Sequence, residues 1–407
     1  MGYVLQDATA DAMTVEAVPR FQGDGTPVDP AILKQMHTTM QTLGRVAIVG
    51  GTIIVALINL GMFADVRNLS AAAKTETYQN LYLMALIIPL MSVAGLVVAR
   101  LQRGQQLKQH MARGLDRHQA LALLRSDEEE TTPNAVLLVG SLFFVALTIG
   151  LGLSGWRYSQ ELIFVSSMAI IGTLMARLMR ELEPSARQTL LGTALVIFMF
   201  RAVPGTGAGM NWWMIDELGF DQPFFSVLSL IGSTLALAGM FVFRRFMSSR
   251  SIFYVVGSLT VLGTLLSLPT LGMSWGLHHW TAAHTGGVVD ARFIALVDTA
   301  LESPLGQISM IPMLVWIANS APPHLKATYF AVMASFTNLA LSAAQLGTKY
   351  LNQIFTLTRQ VRDASGAITV PANYADLSGL LLSALVIGLL MPLAAIAFAR
   401  WRGWGSA

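Results

Sequence analysis

The apolar residues of this chain fall in long blocks separated by short polar stretches. Ten such blocks can be delimited, and each has the roughly 20 residues that a helix needs to cross a bilayer. They lie at 43–63, 80–100, 135–155, 160–179, 187–213, 223–245, 251–275, 291–319, 327–355 and 376–400. We therefore predict an all-α, polytopic membrane protein of about ten transmembrane helices.

Basic residues concentrate in alternate connections between these blocks. Segment 100–125 holds six of them, and the turns at 177–187 and 244–250 hold three each. The connections at 214–222 and 276–290 are much poorer in arginine and lysine. Because cytoplasmic loops carry the excess of positive charge, this pattern predicts that both termini are cytoplasmic. We expect the membrane to be a bacterial inner membrane.

Composition agrees with a membrane protein and narrows the chemistry. Only 12% of residues are charged and the mean hydropathy is +0.58, whereas about a quarter of a soluble domain is charged. The absence of cysteine excludes disulfides and thiolate metal sites, and the histidines at 278, 279 and 284 lack metal-site spacing. We expect no cofactor, no metal and no nucleic acid partner; the expected surroundings are a lipid bilayer.

Two carboxylates lie inside the predicted span 291–319. Asp298 and Glu302 are four residues apart, so a helix places them on one face about one turn apart. Charged carboxylates inside a bilayer are costly and normally face a cavity or a proton path. Proton coupling or substrate contact is one interpretation. The other places both residues near the outer end of the helix, hydrated or paired with Arg292.

A polar stripe runs along the predicted span 327–355. It consists of Asn338, Ser342, Gln345 and Lys349, at spacings of four, three and four residues. Such spacings put all four on one helix face, which must meet protein or water because lipid would leave polar groups unsatisfied. The stripe either lines a substrate path or forms interhelical hydrogen bonds. Lys349 could also reach the membrane interface.

The span 187–213 contains a helix-breaking sequence. One proline and three glycines occur within six residues: Pro204, Gly205, Gly207 and Gly209. Such a segment breaks or loosens a helix, and broken helices commonly mark transporter binding sites. Arg201, just before the break, could then bind a carboxylate through two hydrogen bonds. Alternatively, the segment is only a kink, and Arg201 pairs with Asp298 or Glu302.

Three motifs follow one another from residue 298. They are Asp298-Thr-Ala-Leu-Glu302-Ser-Pro304-Leu-Gly-Gln307-Ile-Ser-Met-Ile-Pro312, then Ala321-Pro322-Pro323, then Ala327-Thr328-Tyr329-Phe330-Ala331 with Ser335 and Asn338. The succession resembles the folate–biopterin transporter family of the major facilitator superfamily. That family shares an acid, a Gln and a Pro in its tenth helix, then a proline-containing turn and a TxFA…S…N pattern. The opening Asp7–Glu16 is similar to the end of the family's fourth helix.

The resemblance implies a partial or rearranged major-facilitator architecture. It divides the chain into a cytoplasmic N-terminal segment at 1–42, a two-helix membrane segment at 43–100 and a cytoplasmic loop at 101–134. The helix pair at 135–179 has no counterpart in the family pattern and is interpreted as an insertion. Residues 187–402 form a six-helix bundle similar to family helices seven to twelve. Apart from the opening segment, which is similar to the end of the fourth helix, no segment corresponds to the first four helices.

These observations predict a secondary active transporter coupled to protons. The resemblance implies that its small-molecule substrate is an amphipathic organic anion similar to a folate or pterin. In this hypothesis Arg201 and the polar stripe bind the substrate, while Asp298 and Glu302 carry the proton. One alternative is a non-transporting scaffold or assembly subunit that pairs with a partner membrane chain. Another is a transporter that is incomplete at its N-terminus. No catalytic arrangement of an enzyme is visible.

Overall fold

The computed structural model describes seven stretches of the chain and some positions between them. The stretches are 28–63, 70–112, 135–180, 182–243, 250–306, 326–363 and 367–405. The positions between or before them are 18, 114, 116–119, 121, 246, 308, 313 and 316. Several residues of the sequence motifs lie outside the described residues: 7–16, Gln307, Pro312 and 321–323.

The described part of the chain is almost entirely helical. Before the Pro/Gly break it contains α1 Pro30–Met62, α2 Ala71–Ala85, α3 Ile87–Ala112, α4 Ala135–Leu153, α5 Ser159–Arg180 and α6 Pro184–Arg201. After the break come α7 Ala208–Asp216, α8 Gln222–Val242, α9 Ile252–Leu266, α10 Leu268–Ser274, α11 Leu277–His284 and α12 Ala291–Glu302. The chain continues with a 3₁₀ turn Ser303–Leu305, α13 Lys326–Ile354, strands β1 Val361–Arg362 and β2 Ile368–Val370, and α14 Leu377–Trp401.

Six helical segments are long and apolar enough to cross a membrane. They are Thr42–Met62, Thr75–Ala112, Ser159–Arg180, Gln222–Val242, Ile252–Ser274 and Leu377–Trp401. A shorter apolar helix covers Leu142–Leu153. The prediction of an all-α, polytopic integral membrane protein is therefore confirmed.

Some predicted boundaries differ from those of the structure. The span 187–213 is two helices, α6 and α7, and the span 251–275 is divided at Ser267 into α9 and α10. Pro269 follows this division, and a proline disfavours helical geometry in the residue before it. The first residues of the predicted loop 101–134 belong to α3, which continues to Ala112. Helix α1 likewise begins at Pro30, inside the predicted N-terminal segment.

Two of the three apolar clusters among the described residues lie at different levels along the helices of the bundle. The first contains Val196, Phe253 and Ala399. The second contains Trp213, Met273 and Leu380. Since helices α6–α7, α9–α10 and α14 each contribute to both clusters, the residues between the clusters lie at intermediate depth. The candidate site occupies this level.

Helix α8 approaches the 3₁₀ turn closely. Gly239 faces the backbone of Pro304. Gly232, two turns earlier, faces Ser303, whose Oγ lies 3.1 Å from the ideal position of a Cβ on Gly232. Small residues allow helices in membranes to come this near. Helix α1 also packs on α8, and α5 packs on α13.

We expect Gly239→Ala to destabilise the protein. The added Cβ would meet the carbonyl oxygen, Cα and C atoms of Pro304, and backbone atoms cannot rotate away. Overpacking of this kind costs about 1–3 kcal/mol. Thermal unfolding in detergent checks this, with Gly257→Ala as the control, because its Cβ would lie 3.5 Å from Ile396 Cδ1 at an ordinary contact distance. Equal unfolding temperatures for the two variants would contradict the expectation.

The connections after α7 and α13 meet at one end of the bundle. Arg359 and Asp216 form an ion pair at 3.4 Å, and the Tyr374 hydroxyl donates to Asp216 Oδ2 at 2.6 Å. Burial, followed by the hydrogen bond to the Asp216 carboxylate, raises the pKa of Tyr374 to about 12. Strands β1 and β2 pair antiparallel within the second connection. The ion pair and hydrogen bond thus tie the end of α7 to the segment before α14.

Candidate functional site

A cavity of about 570 Å³ lies between the two apolar clusters. We call it the carboxylate cavity. Its polar lining consists of Thr206, Thr260, Thr264, Ser267, Thr270, Asp298 and Glu302. Phe200, Met210 and Leu385 contribute to its apolar lining. The volume falls within the range of about 300–1,000 Å³ that is usual for small-molecule sites.

Helix α12 brings both predicted carboxylates to this cavity. The Thr270 hydroxyl donates to Asp298 Oδ2 at 3.0 Å. Asp298 Oδ1 is buried and accepts no hydrogen bond from the described residues. Glu302, the last residue of α12, lines the same cavity. The cavity therefore contains one carboxylate held by a hydroxyl and another close by on the same helix.

Arg292 lies at the other end of α12 and binds a different group. It donates to the carbonyl oxygen of Gly219 at 2.9 Å and pairs with Asp221 at 3.7 Å. Asp298 lies instead at the depth of the carboxylate cavity. The structure thus favours the interpretation in which the carboxylates face a cavity over the one in which they pair with Arg292.

Four hydroxyls on the α9–α10 side of the cavity were missed by sequence reasoning. Thr260, Thr264, Ser267 and Thr270 are spaced by four, three and three residues. These spacings put them on one helix face, so the signal was present in the sequence. All four line the cavity opposite the carboxylates of α12.

Arg201 binds to α13 and borders a different cavity from the two carboxylates. Its Nε donates to the carbonyl oxygen of Thr337 on α13 at 3.2 Å, and its side chain borders a very small cavity with Ile197 and Met313. Among the residues that the structure describes, Arg201 lines neither of the two larger cavities. Its role as a substrate ligand stays a prediction, and one that requires the site to rearrange.

The Pro/Gly break packs against α13. Helix α6 ends at Arg201 and α7 begins at Ala208. The Gly205 N–H donates to Thr348 Oγ1 at 2.9 Å, and Asn352 Nδ2 donates to the carbonyl oxygen of Thr206 at 3.3 Å. Backbone groups freed by the break thus find partners on α13.

Two glycines of the break allow a close approach of neighbouring side chains, and the backbone of one of them requires glycine. Gly207 has φ +73° and ψ −164°, a region that is essentially restricted to glycine. A Cβ on Gly207 would lie 2.8 Å from Asn352 Nδ2, and a Cβ on Gly209 would lie 2.5 Å from Leu357 Cδ1. Pro204 is buried and also packs against α13. Its Cβ lies 3.0 Å from the ideal position of a Cβ on Gly347.

A second cavity, of about 850 Å³, separates α5 from α13. We call it the stripe cavity, because three of the four predicted stripe residues line it: Ser342, Gln345 and Lys349. Asn338 is exposed and is not part of its lining. The opposite wall includes Arg157, Gln160 and Ser167. The helix pair interpreted as an insertion therefore provides one wall of this cavity.

Lys349 is paired with an acid that the sequence reasoning did not single out. Its Nζ lies 2.7 Å from Glu161 Oε1, and the Tyr350 hydroxyl donates to the same oxygen at 2.7 Å. Glu161 Oε2 is buried and has no hydrogen-bond partner among the described residues. The sequence did contain a signal for this residue, because Glu161 is the one acid in the largely apolar predicted span 160–179.

The break lies between the two cavities. Thr206 and Met210 line the carboxylate cavity, whereas Gly207 and Ala208 line the stripe cavity. Residues 35–400 match the model of the BT1 family. The chain belongs to the BT1 family. The matched segment includes both cavities and the break between them.

Relatives of this BT1-family chain carry names that refer to folate and biopterin. A folate-biopterin transporter of Synechocystis is 31% identical over 154 residues, which are 38% of this chain and 30% of the relative. Folate transporter 2 of Plasmodium falciparum is 25% identical over 158 residues, or 39% of this chain and 33% of the relative. A probable folate-biopterin transporter 4 of Arabidopsis thaliana is 22% identical over 143 residues, or 34% and 27%. The chain thus spans about a third of the length of these curated relatives.

Proposed function

We propose that this protein is a secondary transporter of folate- or pterin-like organic anions that is driven by a proton gradient. Its BT1-family membership and the names of its relatives support the substrate class. The observation that carries the proposal is the carboxylate cavity, which places Asp298 and Glu302 beside a broken helix at mid-depth in the bundle.

The lining of this cavity suits a pterin ring. A pterin presents an amino group and a ring N–H side by side, and a carboxylate can accept both in parallel hydrogen bonds, as it does from arginine. Asp298 has a buried oxygen free of hydrogen bonds from the described residues. The hydroxyls of α9 and α10 already donate their protons, three of them to backbone carbonyl oxygens one turn earlier and Thr270 to Asp298. Their oxygens remain acceptors for the amino and N–H groups of the ring, and Phe200 offers an aromatic face.

The two carboxylates also give a reason for proton coupling. Like charges near each other repel, so neutralising one of them is favourable. An anionic substrate entering the same cavity strengthens that repulsion. A proton taken up with the substrate on Asp298 or Glu302 would relieve it, which makes symport the natural mode of transport.

Alternating access would then follow the usual rules for broken-helix transporters. We place the chain in a bacterial inner membrane with both termini cytoplasmic, as the basic connections indicate. Two helical groups, in a major-facilitator arrangement, would rock about the carboxylate cavity. The six-helix bundle of 187–402 would form one group, and the Pro204–Gly209 break would let α6 and α7 change their relative angle.

Uptake by reconstituted protein tests this proposal. Proteoliposomes with a defined inward proton gradient would be given labelled folate or labelled biopterin, with and without a protonophore. We expect accumulation above the external concentration only when the gradient is present. Correctly inserted protein that takes up neither compound would overturn the proposal and favour a scaffold that acts with a partner membrane chain. Uptake unaffected by the protonophore would refute the coupling alone.

A further inference from the structure

We infer that Lys349 and Tyr350 form a carboxylate-binding site for an anionic ligand, and that Glu161 occupies this site in the present structure. The ligand's carboxylate would displace that of Glu161. The inference rests on the proposed function only for the identity of the natural ligand. That ligand would be a folate-like molecule, whose acidic end would bind at this site. The donor geometry, the room around it and the connection to the other cavity each support it.

The donor geometry is that of a carboxylate receptor. Lys349 Nζ and the Tyr350 hydroxyl both lie 2.7 Å from Glu161 Oε1. Hydrogen bonds that combine an ionised donor with a carboxylate are among the strongest in proteins. Two donors from neighbouring residues of α13 thus converge on one oxygen. Any carboxylate that reaches this point can accept the same two bonds.

The surrounding space is large enough for a ligand. Lys349 lines the stripe cavity of about 850 Å³, together with Trp156, Gln160, Gln345 and Asn352. An aromatic ring and three side-chain amides are the groups that usually orient a small polar ligand. Glu161 is therefore paired with a lysine that lines a chamber much larger than the Glu161 side chain.

Displacement does not leave Glu161 without a cation. Arg157 lies four residues earlier in the chain, in the turn before α5, and lines the stripe cavity. Glu161 Oε2 is already buried without a partner among the described residues, so its present position satisfies only half of its carboxylate. A rotation of Glu161 towards Arg157 would exchange one ion pair for another while the ligand takes the vacated donors.

The position of the site fits a ligand with two chemically different ends. The break separates the stripe cavity from the carboxylate cavity, with Thr206 on one side and Gly207 on the other. The carboxylate cavity offers Asp298 and Glu302 to a ring with N–H donors. The stripe cavity offers Lys349 to an anionic group. Movement at the break would join the two.

Binding of carboxylates to the Glu161→Gln variant tests the inference. The probe is 4-aminobenzoyl-glutamate, which has two carboxylates and no pterin ring, with its diamide as the uncharged counterpart. Affinities would be measured by calorimetry on purified protein in detergent. Because the variant loses the competing negative charge, we expect its affinity for the probe to rise by about fivefold, or about 1 kcal/mol. The diamide should bind equally to both proteins.

Asp216→Asn is the matched control. Asp216 is also held by a cation and a tyrosine hydroxyl, Arg359 and Tyr374, but lines neither cavity among the described residues. Its substitution should leave probe affinity unchanged. Lys349→Met should abolish probe binding, and Tyr350→Phe should weaken it.

The outcomes separate this inference from the proposed function. If Glu161→Gln binds the probe no better than the unaltered protein, or if neither binds it, the inference is wrong. A gain in affinity that the diamide shares would also overturn it, since the effect would not depend on charge. A gain restricted to the probe supports the carboxylate site even if folate and biopterin are not transported.

Discussion

Asp298→Asn and Glu302→Gln are each expected to lower gradient-driven accumulation of folate or biopterin by about tenfold or more, which corresponds to about 1.4 kcal/mol. Both residues line the carboxylate cavity, and the neutral amides cannot take up or release a proton. Exchange of labelled for unlabelled substrate at equal concentrations needs no net proton movement. We expect at least one of the two variants to retain this exchange.

The two variants should differ in how they affect binding. Asp298 is held by the Thr270 hydroxyl at 3.0 Å and keeps a buried oxygen available, which suits a fixed substrate contact. Glu302 ends α12 just before the 3₁₀ turn. We therefore expect Asp298→Asn to weaken substrate binding and Glu302→Gln to act mainly on coupling.

Uptake and exchange in proteoliposomes measure both effects. Glu217→Gln is a suitable control, because Glu217 is an exposed acid at the end of α7 and outside both cavities. It should behave like the unaltered protein. Wild-type accumulation in both Asp298→Asn and Glu302→Gln would show that the coupling role assigned to these residues is mistaken.

Gly207→Ala is expected to destabilise the protein by about 1–3 kcal/mol and to reduce transport strongly. Alanine at φ +73° is strained. Its Cβ would lie 2.8 Å from Asn352 Nδ2, which donates to the carbonyl oxygens of Thr206 at 3.3 Å and Thr348 at 2.8 Å. Moving Asn352 would therefore leave the Thr206 carbonyl oxygen at the break without this partner.

Gly205→Ala provides a control within the same segment. A Cβ there has its nearest neighbour, Thr348 Oγ1, at 3.9 Å, so alanine fits without displacement. Thermal unfolding and initial uptake rates of the two variants would be compared. If Gly205→Ala and Gly207→Ala lose stability and activity equally, the effect comes from stiffening the segment in general and not from the geometry of Gly207.

Much of the fold could be predicted because the bilayer constrains it. A spanning helix must be long and apolar, so blocks of hydrophobic residues indicate the helical membrane class and the approximate limits of many of the helices. Where helices are interrupted, proline and glycine indicate it, as at Pro204–Gly209 and near Pro269. The predicted span 80–100 did not include the extension of α3 to Ala112, because a polar continuation of a helix has no apolar signal.

The candidate site was predictable only where it depends on one helix at a time. The four-residue spacing of Asp298 and Glu302 places both on one face, and they do line one cavity. Arg201, by contrast, was expected near a substrate or these acids, and the structure directs it to the carbonyl oxygen of Thr337. Helical periodicity does not specify which neighbouring helix a face will meet.

The sequence by itself determined the helical membrane class, the position of the break, the shared face of the two carboxylates and the shared face of the stripe. Only the tertiary structure decided that the carboxylates and the stripe face different cavities on either side of the break. It also decided that Glu161, 188 residues before Lys349 in the chain, holds that lysine. The reason is that local spacing fixes geometry within a helix, whereas ion pairs and cavities form between helices whose packing depends on the whole chain.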